Sequence, residues 1–111
     1  MVYEAKVADV IDQVQNARLA LYTHFAGDTF IELIQPLNDQ AFTWKSLEKN
    51  GNHFNHFCYS VDSVEDISNF AAEKKLVPVL GPVPALLFDG KQVAFYYTRN
   101  KQIIEFLISP K

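Results

Sequence analysis

At 111 residues, with 49% hydrophobic and 21% charged residues, the chain is sized for one domain with its own core and is too short for two. A formal net charge of −3 and a pI near 5.5 leave no basic footprint for nucleic acid, and no apolar run reaches membrane-spanning length or forms a signal-peptide core. Cys58 is the single cysteine, which excludes an internal disulfide and fits a reducing, cytoplasmic setting.

The opening "VYEAKVAD" reads as a strand. Asn16 supplies a turn before "RLALYTH", where Leu19 and Leu21 share one face and Arg18, Ala20 and Tyr22 the other. "AGD" at 26–28 predicts a tight turn into "TFIELIQP", a β-rich run closed by Pro36. Residues 39–49 predict a short helix capped by Asp39, with Phe42 and Leu47 facing inward and Asn50-Gly51 ending it.

"HFNHFCYSV" from His53 predicts an aromatic strand. The next segment, "DSVEDISNFAAEKK", carries a cap at Asp62 or Ser63, acids in its first turn and lysines in its last. Val64, Ile67, Phe70 and Ala71 make its buried stripe. "LVPVLGPVPALLFDG" predicts a strand fragment and an irregular loop ending at Asp89-Gly90. "KQVAFYYTR" and "KQIIEFLIS" predict two closing strands joined through Asn100. The order is β-β-β, a short helix, then β-α-β-β-β. The second half is a complete βαβββ unit, and the first is the same unit without its opening strand and helix.

Three residues draw attention on chemical grounds. Glu32 in "FIELI" and Glu105 in "IIEFL" each sit inside an apolar strand, and alternation places each with apolar neighbours on its own face. Such a carboxylate either meets solvent on a half-exposed face or is paired or metal-bound inside. His56 shares its predicted face with Phe54, Cys58 and Ser60. If the strand already includes His53, the two histidines point to opposite sides and cannot serve one metal. Cys58 reads as a small packing residue, since no orienting third group supports a nucleophile.

These features together resemble the vicinal oxygen chelate superfamily, also called the glyoxalase and bleomycin-resistance fold, and within it methylmalonyl-CoA epimerase-like proteins. "GDTFIELIQPL" at 27–37, "FTWKSLEKNGNHFNHFCYSVDSVED" at 42–66 and "GKQVAFYYTRNKQIIEFL" at 90–107 carry the resemblance. It implies an α+β domain over 1–111, with paired βαβββ modules forming a cup-shaped mixed sheet whose first module is truncated at its N-terminus. Residues 1–37 are then the incomplete module, 38–52 a connector and 53–111 the complete one.

The resemblance further implies a divalent metal held by Glu32, His56 and Glu105, with Glu105 doubling as the catalytic base and His53 not a ligand. The family's first-strand ligand and its first-module acid–base glutamate have no counterpart here. Two functions follow as expectations. One is a metal-dependent lyase or epimerase acting on a small oxygenated acid or thioester. The other is a non-catalytic, resistance-type binding protein with a pocket lined by Phe30, Phe54, Cys58, Phe95 and Tyr97. A rearranged product without activity is a third. A sheet left without its opening strand predicts a homodimer that covers the edge. The partner expected otherwise is a small molecule, not nucleic acid or a membrane.

Overall fold

The computed structural model describes residues 3–24 and 30–110. Its elements run β1 (Tyr3–Asp12), β2 (Ala17–His24), β3 (Phe30–Pro36), α1 (Trp44–Asn50), β4 (His56–Val61), α2 (Val64–Lys74), β5 (Val77–Pro84), a 3-10 turn at Leu86–Phe88, β6 (Gln92–Tyr97) and β7 (Ile103–Ile108). This is the order the sequence predicts; the turn expected at 26–28 lies outside the described residues. Among the described residues, no helix is long and apolar enough to cross a membrane.

The strands form two sheets, β1-β2-β3 and β4-β7-β6-β5. All pairings are antiparallel except β4 with β7. Each sheet therefore contains one three-strand meander, β1–β3 in the first and β5–β7 in the second. Only the second adds a parallel strand to the last strand of its meander, and only it has a helix from its own module, between β4 and β5. The internal repeat is thus visible in the topology, with the opening strand and helix present once among the described residues.

The inner faces of both sheets carry the core. Ala17, Leu19 and Leu21 pack with Leu87, while Val93 and Phe95 pack with Ala85 and Phe42; Phe88 touches both groups. The outer face of the second sheet is covered by α2 through Ile67, Ala94 and Phe106. Asp12 ties the halves together. Its carboxylate accepts hydrogen bonds from the backbone N–H groups of Val14 and Gln15 in the β1–β2 turn, and from that of Leu86, 74 residues away.

Four local expectations need correction. The short helix starts at Trp44 with Thr43 at its N-cap, and Asp39 does not cap it. Asn38 organises that stretch instead, its side chain accepting from Gln40 N–H and its carbonyl from Ala41 N–H. β4 begins at His56, because His53 and Asn55 bond back to Ser46 and Gly51 and so leave the ladder. The proline-rich run, expected to be mostly loop, is an eight-residue strand whose register shifts absorb the prolines on the sheet's edge. Gly81 is required there: its φ is +95°, and a Cβ would stand 2.5 Å from the Val93 carbonyl oxygen. On α2, Ile67 is buried, but Val64 and Phe70 are 44% and 36% exposed, so the apolar stripe overhangs the sheet.

Candidate active site

β4 and β7 run side by side with His56 opposite Ile103 and Cys58 opposite Glu105. Both His56 and Glu105 project from the inner face, where the apolar strand that carries Glu105 buries it to 2% exposure. Nε2 of His56 lies 2.9 Å from Oε1 of Glu105, with the two side chains 4% and 2% exposed. The His56 ring also meets Phe95 edge-on at 5.6 Å, which walls the pair off from water. The buried carboxylate is therefore a paired one, as its cost of burial requires.

Hydrogen bonding fixes the orientation of His56. Gly51 O can only accept, so His53 Nδ1 donates to it at 2.7 Å, and in the neutral ring Nε2 accepts from the Ser46 hydroxyl at 2.8 Å. Asn55 Nδ2 donates to that hydroxyl oxygen, turning its own carbonyl oxygen toward His56 Nδ1, which donates at 2.6 Å. His56 is thereby held with its Nδ1 proton on Asn55 and its Nε2 facing Glu105. A partner on the far nitrogen is what sets the tautomer of a ligating or acid–base histidine. His53 and Asn55 are thus drawn into the support of His56; sequence alone offered no periodic signal for this.

Glu32 approaches from the other sheet. It stands opposite Leu21 on the inner face of β3, close enough to Glu105 and Asp12 to feel both carboxylates. Burial first, then Glu105 and Asp12, push its carboxyl up to about 8. Cys58 is exposed along the free side of β4, yet its thiol turns toward the same carboxylates. Desolvation there, then Glu105 and Glu32, raise it above the ordinary thiol range, so it is protonated and a poor nucleophile.

The structure thus brings Glu32, His56, Cys58 and Glu105 to one face. Among the described residues, however, no three His, Cys, Asp or Glu side chains gather closely enough to hold a metal ion. Of the residues expected to line a pocket, Phe95 is core, packed 4.8 Å from Phe42, and Phe30 is half-exposed on β3. Phe54 and Tyr97 line a large cavity beside the pair, together with Ser46, His53 and Asn55.

Comparison with known proteins agrees with this architecture. Residues 3–95 match the family model described as the Glyoxalase/Bleomycin resistance protein/Dioxygenase superfamily. No curated protein matches the chain. Among solved structures, hypothetical protein BH1468 from Bacillus halodurans C-125 superposes with a TM-score of 0.76 at 24% identity, covering 96% of this chain and 77% of that one. Methylmalonyl-CoA epimerase from Mycobacterium tuberculosis gives 0.79 at 18% identity, covering 96% and 71%. A Streptomyces coelicolor methylmalonyl-CoA epimerase variant, in complex with 2-nitronate-propionyl-CoA, gives 0.74 at 19%, covering 98% and 81%. At these identities the likeness is one of fold. With a family match spanning most of the chain and two meanders set as an open cup, the chain belongs to the glyoxalase/bleomycin resistance/dioxygenase superfamily.

Proposed function

We propose that the chain is a divalent-metal-dependent lyase or epimerase acting on a small oxygenated acid or thioester. The observation that carries this reading is the buried His56–Glu105 pair, with Glu32 opposed to it across the cup. One imidazole and two carboxylates are a donor set suited to a divalent ion. Burial, with Glu105 and Asp12 beside it, raises the cost of ionising Glu32 in the cup and so creates a demand for positive charge. Glu32, His56 and Glu105 would hold the ion only with Glu32 drawn in from across the cup, since the three do not gather around one point in this structure; the ion would then polarise a carbonyl or enolate oxygen.

The chain's own residues supply the rest. Glu105 accepts the proton from the carbon beside that carbonyl, and Asn55 keeps Nε2 of His56 turned toward it. Phe95 keeps water from the pair. The CoA-bound epimerase complex among the structural neighbours makes an acyl thioester the natural first substrate to try.

A second reading, a non-catalytic binding protein of the resistance type, draws on the absence of a three-residue ligand cluster among the described residues. Both readings place the protein in the cytoplasm, where the free Cys58 thiol stays reduced. Both also include a homodimer, supported by Phe57 and Tyr59 at 64% and 50% exposure on β4 and by its unpaired edge.

Metal analysis of tag-free protein purified without chelator tests the first reading. About one divalent ion per chain, lost in a folded Glu105→Ala variant, is the expected result. No metal under any loading condition refutes it in favour of the second. Light scattering tests the dimer, and a clean monomer at working concentration counts against it.

A further inference from the structure

Ser46 and His53 meet on the wall of the large cavity, apart from the His56–Glu105 pair. Seven residues separate them in sequence, and Gly51, at φ +66°, ends α1 and turns the chain back along the helix. The Ser46 hydroxyl donates to His53 Nε2 at 2.8 Å, and His53 Nδ1 donates to Gly51 O at 2.7 Å. Nucleophile, base and orienting acceptor thus stand in the order that activates a serine. The carbonyl can only accept, so Nδ1 carries the proton of the neutral ring and Nε2 is free to take another. Gly51 is itself held in place, its N–H donating to Leu47 O at 2.7 Å.

The surroundings suit negative charge on the hydroxyl oxygen and on a carbonyl that it attacks. Asn55 Nδ2 donates to that oxygen at 3.4 Å. Lys45, Lys49, Lys75, Arg99 and Lys101 line the same space of about 990 Å³, and among the described residues no Asp or Glu does. Lys49, three residues beyond Ser46 on α1, is its neighbour on the helix surface, and among the described residues it is in no ion pair. Preorganised donors and cations of this kind stabilise an oxyanion. Phe54 and Tyr97 offer an apolar wall to the acyl or leaving group.

We infer that Ser46 and His53 form a second catalytic site, which hydrolyses small carboxylic esters through an acyl-serine. Ser46 Oγ attacks the ester carbonyl carbon while its proton passes to His53 Nε2. The tetrahedral oxyanion collapses, the bond to the alcohol oxygen breaks, and that oxygen takes the proton from Nε2. Water then adds to the acyl-serine and gives its proton to Nε2; the carboxylic acid departs as Ser46 Oγ recovers that proton. With an activated aryl ester the leaving group needs little help, so acylation outruns hydrolysis of the acyl-serine. These steps draw on neither a metal ion nor Glu105, so they stand or fall apart from the proposed function.

The test is rapid-mixing release of p-nitrophenolate from p-nitrophenyl acetate by the full chain, with EDTA present throughout, followed by mass mapping of the acetyl group. A burst of about one nitrophenolate per chain is expected, with the acetyl group on Ser46. Folded Ser46→Ala should show no burst. His53→Gln should slow the burst by at least about 100-fold, and added imidazole should restore part of the loss. Lys49→Glu should slow it about tenfold, and the exposed control Ser68→Ala should leave it unchanged. Absence of a burst from folded protein overturns the inference. So does an acetyl group mapped to a lysine in place of Ser46, or an unchanged burst in folded Ser46→Ala or His53→Gln. Should a variant fail to fold, the position of the acetyl group on the original chain decides.

Discussion

Glu32 and Glu105 hold the same place in two copies of one motif. Each lies on the last strand of an antiparallel meander, opposite an inward apolar residue of the preceding strand: Leu21 for Glu32 and Phe95 for Glu105. Their surroundings differ because only Glu105 has a parallel neighbour strand, β4, to bring it a histidine. One carboxylate is paired; the other bears the cost of facing it.

That difference predicts a pH dependence. A carboxyl raised to about 8 in the folded state, from 4.5, holds a proton that the unfolded chain has already released. Between these values the folded state binds more protons, so stability is greatest at the acid end and falls as pH rises toward 8. Glu32→Gln should remove this slope and be the more stable protein at pH 8. Urea unfolding of both proteins from pH 5 to pH 9 checks it, and parallel curves would refute the assignment.

Asn55 carries the second prediction. Asn55→Ala removes the acceptor for His56 Nδ1 and the donor to Ser46, leaving the ring free to change tautomer. Any divalent-ion affinity should fall about 10- to 100-fold, the usual consequence of losing such a supporting partner. Nitrogen NMR of His56 should show Nδ1 losing its hydrogen bond to the Asn55 carbonyl oxygen, and an unchanged Nδ1 signal in the variant would remove Asn55 from this role.

The third concerns Asp12, 3% exposed and bonded to both halves. Asp12→Ala leaves turn and 3-10 backbone donors without their acceptor, at about 1–3 kcal/mol for an orphaned buried group and more for several together. Denaturant unfolding measures the loss, and a change within error would mean that water replaces the carboxylate at no cost.

Much of this site could be read before any coordinates, because a charge inside an apolar strand stands out. Glu105 announces itself in "IIEFL", and the element order exposes the half-repeat without any sequence identity between the halves. What could not be read depends on contacts between distant residues. The strand start at His56 is set by side-chain bonds from His53 and Asn55 back to Ser46, which leave no periodicity. The cationic cavity draws its residues from α1, the end of α2 and the β6–β7 turn, and none of these is a basic run. The binding of Leu86 N–H by Asp12 spans most of the chain.

β6 is the strand whose two faces are both covered, with Val93, Ala94 and Phe95 at 0%, 1% and 1% exposure. It takes its hydrogen bonds from β5 on one side and β7 on the other. Its amides can reach solvent only when the sheet as a whole comes apart, whereas those facing outward on β3 and β4 need only local opening. Deuterium exchange should therefore sort this small domain by strand, with β6 setting the clock of global unfolding and edge strands such as β3 and β4 registering whatever docks against them.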